Sequence, residues 1–281
     1  MGVPHNRFKH ALAERRLQIG LWSQMCSNIS AEILGRAGFD WIVIDTEHAP
    51  NELPGVLAQL QALAVSDAAP VVRLAWNDQV LTKRMLDIGA QSLLVPFVET
   101  EADARRAVRH TRYPPDGVRG VATNHRANHF GRIPDYLAAA AAEICLLVQI
   151  ESAAGIENLE AIAAVEGIDG IFVGPSDLAA SLGHLGNAAH ADVEAAIVAV
   201  HRRATRAGKP TGILAPVDAD ARRYIEMGFT FVAVGSDLSL LARNAEALAV
   251  RFRPDARPSG ATPQQPAGGR RWRQPKLELP G

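Results

Sequence analysis

The chain has 281 residues, of which 48% are hydrophobic, and this is enough for a large buried core, either one barrel or two smaller domains. The net charge of −1 is unevenly distributed: residues 251–281 carry +5 and the rest carries −6, which argues against a nucleic-acid-binding surface on the folded part. With two cysteines, no secretory signal and no apolar stretch of the roughly 20 residues that span a membrane, we expect a cytoplasmic protein without a disulfide framework or membrane association.

From residue 17 onward, short apolar runs alternate with segments of helical periodicity. The runs predicted as strands are residues 18–22, 41–45, 71–74, 92–96, 145–150, 170–173, 211–214 and 231–234. The segments predicted as helices are residues 30–37, 53–65, 79–88, 101–111, 156–165, 192–207, 219–227 and 238–250. Eight strands in strict alternation with helices predict an α/β fold, a (β/α)8 barrel. The competing architecture, a doubly wound sheet, usually has a glycine-rich first turn, and residues 21–24 contain no glycine.

Two segments depart from this alternation. Residues 112–135 form a long connection rich in proline, arginine and histidine, which favours a functional loop, although an ordinary solvated loop remains the alternative. The helix of residues 238–250 has an apolar stripe that must pack against this barrel or a neighbour's. We therefore expect one barrel domain over residues 1–253. Residues 254–281 are rich in Pro, Gly, Gln and Arg and are predicted to be disordered.

Two carboxylates follow neighbouring strands of the predicted barrel. Glu151 comes directly after the fifth strand, and Asp177 follows the sixth strand through a short turn. Parallel strands joined by a helix place their carboxyl ends side by side, so we expect both side chains at the same rim. Paired acids at such a place are a plausible clamp for a divalent cation with hard oxygen ligands. Either acid alone could instead cap a helix or lie in a turn.

Residues after the second and third strands could carry acid–base chemistry. Asp45, Glu47 and His48 form a dense group in which the imidazole could act as a general base, while a polar loop with capping acids is the alternative. Arg73 lies among apolar neighbours and needs an anionic partner, either one of these two acids or a substrate oxyanion. Asp87 is either a helix-surface acid or the inward partner of His48.

Further candidates lie at other strand ends. Gln149 alternates with the acid at the end of the fifth strand, so both side chains point the same way. The turn of Gly174, Pro175 and Ser176 offers backbone N–H groups at the start of a possible helix, and such groups bind carboxylates well. Trp22, at the end of the first strand, would wall a pocket or belong to the core.

Several long motifs, in order and in register, resemble the HpcH/HpaI aldolase family of class II pyruvate aldolases. They are residues 20–22 (GLW), 40–50 (DWIVIDTEHAP), 86–91 (LDIGAQ), 112–115 (RYPP) with 119–120 (RG), 149–151 (QIE) and 167–178 (GIDGIFVGPSDL). The likeness runs from about residue 20 to about residue 250. Within the family it is greatest to the aldolases that act on 4-hydroxy-2-oxoheptanedioate, enzymes of aromatic compound catabolism.

The resemblance implies an enzyme that reversibly cleaves 4-hydroxy-2-oxo acids to an aldehyde and pyruvate, or a related 2-oxo acid such as hydroxypyruvate. It implies Mg²⁺, Mn²⁺ or Co²⁺ bound by Glu151 and Asp177. A Schiff-base mechanism is disfavoured, because no lysine ends a predicted strand. The small-molecule partners would be the 2-oxo acid and the aldehyde, and the chain would form a homo-oligomer, a hexamer built as a trimer of dimers that exchange the last helix.

The resemblance also implies roles for individual side chains. It makes Arg73 and the pair of His48 and Asp87 catalytic. It assigns substrate contacts to Trp22, Gln149, Gly174, Pro175, Ser176 and Leu214.

Three alternatives stay open. A citrate-lyase-like carbon–carbon lyase would share the barrel and the acid pair. A phosphate-binding barrel isomerase could use the turn of residues 234–237 after the eighth strand, where barrels often hold phosphate. A third interpretation is a binding scaffold without enzymatic activity, with the basic residues after Arg253 as its interaction arm.

Overall fold

The computed structural model describes residues 2–253, and within them eight parallel strands close into a barrel. The strands are β1 (Gln18–Ser23), β2 (Trp41–Asp45), β3 (Ala69–Arg73), β4 (Ser92–Val95), β5 (Cys145–Ile150), β6 (Gly170–Val173), β7 (Thr211–Leu214) and β8 (Phe231–Ser236). Each strand pairs with the next along the chain, and β8 pairs with β1 to close the ring. The predicted (β/α)8 barrel is confirmed.

Helices alternate with the strands along the chain, with α1 before β1 and α12 after β8. They are α1 (Arg7–Ala13), α2 (Asn28–Gly35), α3 (Leu53–Leu63), α4 (Gln79–Asp87), α5 (Glu101–Thr111), α6 (Tyr136–Ala139), α7 (Ala153–Glu157), α8 (Leu159–Ala163), α9 (Pro175–Ser181), α10 (Ala191–Arg206), α11 (Asp218–Met227) and α12 (Asp237–Phe252). None of these helices, in the part of the chain that the structure describes, is long and apolar enough to cross a membrane.

The structure adds the short helices α6 and α9 to the predicted ones, and it differs from the prediction in two further places. The segment of residues 156–165 is not one helix, because Asn158 leaves helical geometry between α7 and α8 and donates a hydrogen bond from Nδ2 to the carbonyl oxygen of Glu99 (2.9 Å). The amino-terminal segment, in which we predicted no helix, forms α1. Its apolar residues Phe8, Ala11 and Leu12 follow helical spacing and are buried.

Aromatic side chains fill the interior of the barrel. Trp41 packs against Phe8 and Phe231, and Trp22 packs against Trp41 and Phe172, with ring centroids 5.3–6.2 Å apart. Phe8 comes from α1 rather than from a strand, so the amino-terminal helix closes the barrel where the strands begin. The interior is therefore a solid core below the carboxyl ends of the strands.

The chain divides into two compact units, residues 1–240 and residues from Leu241 onward. The first unit contains all eight strands of the described barrel and the start of α12. The described part of the second unit is the rest of α12, on which Leu241, Leu248 and Phe252 are exposed. The predicted disorder of residues 254–281 lies outside the described residues.

Candidate active site

All of the predicted site residues except Asp87 lie at or just after the carboxyl ends of the strands, where the active sites of such barrels are found. Asp45 ends β2 and Arg73 ends β3, and these two positions are neighbours in the register of the sheet. Gln149 lies near the end of β5, and Glu151 follows its last residue. Trp22 and Leu214 lie at the ends of β1 and β7, and Gly174, Pro175, Ser176 and Asp177 form the junction between β6 and α9.

A buried ion pair joins β2 and β3. Arg73 donates from Nε to Oδ1 of Asp45 (2.9 Å) and from Nη2 to Oδ2 (2.6 Å), a two-pronged arrangement that fixes the guanidinium plane. Its Nη1 lies 2.9 Å from Oε2 of Glu47, and its guanidinium carbon lies 5.4 Å from the centre of the Trp22 ring. Asp45 is 0% exposed and Arg73 is 7% exposed. The anionic partner expected for Arg73 is therefore supplied by both nearby acids.

Asp45 also organises the loop that carries His48. The backbone N–H groups of Glu47 and His48 donate to its Oδ1 (3.0 and 3.3 Å), and Nε2 of Gln24 donates to its Oδ2 (3.1 Å). Burial acts to raise the pKa of Asp45, but the hydrogen bonds from Arg73 and Gln24 and the charge of Arg73 hold it below its ordinary value. The His48 side chain is exposed above this loop.

Glu151 is buried, and both of its oxygens are held in place. The N–H of Phe97 donates to Oε1 (2.8 Å), and Nε2 of Gln149 donates to Oε2 (2.6 Å). A side chain at Gly174 would overlap Oε2 of Glu151, so this carboxylate requires glycine at the end of β6. Burial raises the pKa of Glu151 to about 7, and the charges of Glu47 and Asp177 contribute to the rise.

The oxygens of Glu151, Asp177 and the neighbouring amide of Gln149 are of the type that a divalent metal ion prefers. The negative charges of Glu47 and Asp177 raise the pKa of Glu151, and that of Asp177 also raises the pKa of Glu47. Burial is the main cause of the raised pKa of Glu47. Oε1 of Gln149 is buried and has no hydrogen-bond partner among the described residues. Carboxylate and amide oxygens are the ligands that Mg²⁺ and Mn²⁺ prefer, and a bound cation would offset the repulsion among the carboxylates.

The structure does not bring Asp87 to His48 within one chain. Helix α4 starts after β3 and ends before β4, so its last residue, Asp87, lies towards the opposite end of the barrel. There the carboxylate of Asp87 accepts a hydrogen bond from Nη2 of Arg119 (2.8 Å), a fully buried residue of the long connection between α5 and α6. The guanidinium of Arg119 stacks on the ring of Tyr113. Within a single chain Asp87 is therefore a helix-end acid.

Sequence reasoning missed two contributions to the site. The role of Glu47 as a third acid beside Glu151 and Asp177 depends on side-chain direction after the strand has ended, although the density of acids at residues 45–47 was a signal. The N–H of Phe97 reaches Glu151 because Phe97 has a left-handed backbone (φ 49°), which a phenylalanine rarely adopts and which no pattern in the sequence indicates.

Comparison with known proteins shows what this chain resembles. The sequence profile described as "HpcH/HpaI aldolase/citrate lyase" matches residues 18–244. A protein of Salmonella newport (strain SL254) named "5-keto-4-deoxy-D-glucarate aldolase" is 58% identical over 248 residues, which cover 88% of this chain and 97% of that protein. The crystal structure of a HpcH/HpaI aldolase/citrate lyase family protein from Burkholderia cenocepacia J2315 superposes with a TM-score of 0.86 at 45% identity, covering 88% and 99% of the two chains. The citrate synthase SbnG is more distant, with a TM-score of 0.79 at 25% identity, covering 88% and 97%.

We expect Arg73→Ala to lower the free energy of unfolding by roughly 3–5 kcal/mol, because it leaves the buried charge of Asp45 without its main partner. The double variant Asp45→Ala/Arg73→Ala should lose less than the sum of the two single variants, since it leaves neither charge alone. Urea unfolding followed by circular dichroism measures all three. Arg203→Ala, which breaks a more exposed pair with Glu160, is the matched control and should cost less than about 1 kcal/mol. Additive losses at Asp45 and Arg73 would contradict the coupling.

The raised pKa of Glu151 predicts a pH-dependent stability in the absence of divalent metal. An acid whose pKa is higher in the folded state stabilises the fold when protonated, and this stability is lost as the pH rises through about 7. Relative to Glu151→Gln, the wild-type protein should therefore lose up to roughly 3 kcal/mol between pH 5 and pH 8. Urea unfolding of both proteins in chelator measures this difference. A difference that does not change with pH would show that Glu151 titrates normally.

Proposed function

Because the chain belongs to the HpcH/HpaI aldolase/citrate lyase family and is a carbon–carbon lyase, we propose that it is a divalent-metal-dependent aldolase that cleaves 4-hydroxy-2-oxo acids to pyruvate and an aldehyde. The observation that carries this proposal is the buried Glu151, whose negative charge is repelled by the like charges of Glu47 and Asp177 at the rim of the barrel. Such a cluster of acids beside an arginine is suited to hold a cation and, through it, an anionic substrate.

We propose 5-keto-4-deoxy-D-glucarate as the substrate class, because the 58% identical relative carries that name. Its carbon chain is a diacid with a keto group beside one carboxylate, then a CH₂ group, then two carbons that bear hydroxyls. Breaking the bond between the CH₂ group and the first hydroxyl-bearing carbon yields pyruvate and a three-carbon aldehyde with a hydroxyl and a carboxylate. The aldolases of 4-hydroxy-2-oxoheptanedioate, which the motifs resemble, act on the same arrangement of keto, CH₂ and hydroxyl groups.

Glu151 and Asp177 would hold the metal ion, for which Mg²⁺, Mn²⁺ and Co²⁺ are the candidates. A bound divalent cation supplies Lewis-acid stabilisation for the negative charge that develops on the keto oxygen during cleavage. Gln149 fits beside this site, because its amide N–H group fixes Glu151 while its oxygen remains free to accept from a bound molecule or to contact a cation. The backbone amides of the turn at Gly174 and Ser176 are suited to hold the substrate carboxylate.

Arg73 would act on the same developing charge. Asp45 fixes its Nε and Nη2, so the guanidinium keeps its orientation when a substrate arrives and needs no reorganisation. Trp22, predicted as a substrate contact, is instead part of the aromatic core (2% exposed) and supports the guanidinium from below, whereas the half-buried Leu214 at the end of β7 is suited to contact the substrate. Loss of a preorganised donor of this kind costs roughly 3–4 kcal/mol in the transition state.

His48 is the group suited to take the proton from the hydroxyl during cleavage. It is exposed, directly follows Glu47 in the chain, and has its backbone held by Asp45. As the C–C bond breaks, the hydroxyl oxygen becomes the aldehyde oxygen and its proton passes to the imidazole. The electron pair of the broken bond remains on the pyruvate fragment, which later takes up a proton at its methyl carbon.

The alternative of a phosphate-binding isomerase finds no support at the turn after β8. The buried carboxylate of Asp237 lies at the start of α12 and accepts hydrogen bonds from the backbone N–H groups of Gln24 and Met25 and from the hydroxyl of Ser30. Ser236 accepts the N–H of Ser239. A phosphate would meet an anion at this place, and the nearby donors already have partners.

We also propose that the chain forms a homo-oligomer. Ile29 and Ile33 lie one turn apart on α2, and each is about two thirds exposed (66% and 65%). Exposed aliphatic residues on one helix face are suited to pack against another copy of the chain. Light scattering coupled to size-exclusion chromatography measures the oligomeric state, and the hexamer that the family resemblance implies is the expected form.

We expect Glu151→Gln and Asp177→Asn each to abolish pyruvate release from 5-keto-4-deoxy-D-glucarate, because each removes a charged metal ligand. EDTA should abolish the activity of the wild-type protein, and added Mg²⁺ or Mn²⁺ should restore it. A dehydrogenase that reduces pyruvate with NADH reports the reaction. Asp40→Asn, which lies on the same barrel before β2, is the matched control and should leave turnover intact. Full turnover in metal-free buffer would refute the proposed mechanism.

We expect His48→Ala to impair cleavage more than it impairs exchange of the methyl protons of pyruvate with solvent. Cleavage requires a base for the hydroxyl proton, whereas proton exchange does not involve that hydroxyl. Coupled pyruvate release measures the first reaction, and proton NMR in D₂O measures the second. Equal losses in both would instead assign His48 to the enolisation step or to the structure of the loop.

A further inference from the structure

A second group of potential metal ligands lies far from the candidate active site, where the strands begin. Nε2 of His10, on α1, lies 3.3 Å from both carboxylate oxygens of Glu143, in the turn before β5. Nδ1 of His5, in the segment before α1, lies 3.8 Å from Oε2 of the same carboxylate. The two imidazole rings stack with their centroids 4.1 Å apart. Two imidazoles and one carboxylate thus converge from parts of the chain that are distant in sequence.

Asn6, which directly follows His5, fixes this arrangement. The N–H of Asn6 donates to Oε2 of Glu143 (2.7 Å), and its Nδ2 donates to the carbonyl oxygen of Glu143 (3.0 Å) and to the hydroxyl of Ser92 (3.0 Å). Its Oδ1 accepts from the N–H of Lys9 and caps α1. Asn6 is buried, so the backbone that carries both histidines is held against the turn that carries Glu143. The backbone that carries the ligands is therefore held in place without an ion.

From this geometry we infer that His5, His10 and Glu143 form a site for a transition-metal ion such as Zn²⁺. Zinc bonds to imidazole nitrogen and carboxylate oxygen are about 2.0–2.2 Å long, which places neighbouring ligand atoms about 3.3–3.5 Å apart in a tetrahedron. The distance between His10 and Glu143 already matches this value, and that between His5 and Glu143 exceeds it slightly. To turn its lone pair towards the ion, the His5 ring must give up its stack on His10, and the 63% exposure of its side chain leaves it room to do so.

The ligand types separate this site from the candidate active site. Two imidazoles favour Zn²⁺, Ni²⁺ or Cu²⁺, whereas the oxygen donors around Glu151 favour Mg²⁺ or Mn²⁺. Binding replaces the hydrogen bond between His10 and Glu143, so the proton on Nε2 of His10 is released or moves to Nδ1. Water would complete the coordination. This inference does not depend on the proposed aldolase function.

A second cluster, formed by His184, His190 and Asp192, has similar composition but is less suited to bind metal. Nδ1 of His190, its potential ligand atom, accepts the N–H of Asp192 (3.2 Å) and caps α10. Metal binding there would break a helix cap, whereas the ring nitrogens of His5 and His10 contact the carboxylate of Glu143 and accept no backbone N–H from residues 2–253. This cluster therefore serves as a matched control.

An ion at the proposed site would link the amino-terminal segment to the turn before β5. Both contribute to the closed end of the barrel, since α1 supplies Phe8 to its interior. An ion that binds only the folded protein raises its stability by mass action. The expected effect is thus on thermal stability rather than on turnover.

The test is copper titration of the full chain in excess Mg²⁺, which occupies the oxygen ligands, followed by electron paramagnetic resonance. We expect one tightly bound Cu²⁺ whose spectrum shows coupling to two imidazole nitrogens. His10→Ala and Glu143→Gln should each weaken this binding by at least about tenfold, because even the loss of a hydrogen-bond partner of a metal ligand costs that much. His190→Ala should leave it unchanged.

A parallel measurement uses Zn²⁺ and thermal unfolding. Zn²⁺ should raise the Tm of the wild-type protein and of His190→Ala, but not that of His10→Ala or Glu143→Gln. Aldolase turnover with Mg²⁺ should be the same in all four proteins. The inference is overturned if nitrogen coupling and the rise in Tm persist in His10→Ala and Glu143→Gln, if His190→Ala abolishes them, or if the wild-type protein shows neither.

Discussion

The ion pair between Asp45 and Arg73 is the interaction on which the candidate site depends. Two charges without access to water are tolerable only because the contacts are two-pronged and the remaining acceptor positions of Asp45 are filled by Gln24 and by backbone N–H groups. The pair therefore does more than neutralise itself. It aims a guanidinium into the rim of the barrel and fixes the loop that carries His48, so two proposed catalytic groups derive their positions from one buried carboxylate.

Glu151 contrasts with the paired charges of Asp45 and Arg73, because its neighbours Glu47 and Asp177 carry the same charge and repel it. A carboxyl group that titrates near pH 7 is less stable in its charged form than the same group in water. A neutral glutamine at this position would remove the repulsion with Glu47 and Asp177. Retention of glutamate in a buried strand end is what a cation-binding site requires, and the solid aromatic interior below it prevents the strands from shifting to relieve the repulsion.

The sequence was sufficient to predict the barrel and most of the rim, because both follow from short-range patterns. Buried parallel strands such as Trp41–Asp45 and Cys145–Ile150 are continuous apolar runs, and the residue that ends each run belongs to the rim. Contacts that depend on the third dimension could not be predicted. The sequence allowed Asp87 to face His48, but α4 runs away from the carboxyl ends of the strands and Asp87 is its last residue. The left-handed backbone of Phe97 could not be predicted, because phenylalanine rarely adopts it and no neighbouring residue indicates it.

Gly174 shows how this architecture limits its own divergence. Many positions in the loops around the rim tolerate a change of side chain without disturbing the carboxylate of Glu151. The hydrogen atom that stands for a side chain at Gly174 has no such freedom, since any larger group displaces the carboxylate of Glu151. Related barrels that differ elsewhere around the rim should therefore still have glycine at this position. A homologue with any other residue there would keep the fold but lose the position of the Glu151 carboxylate.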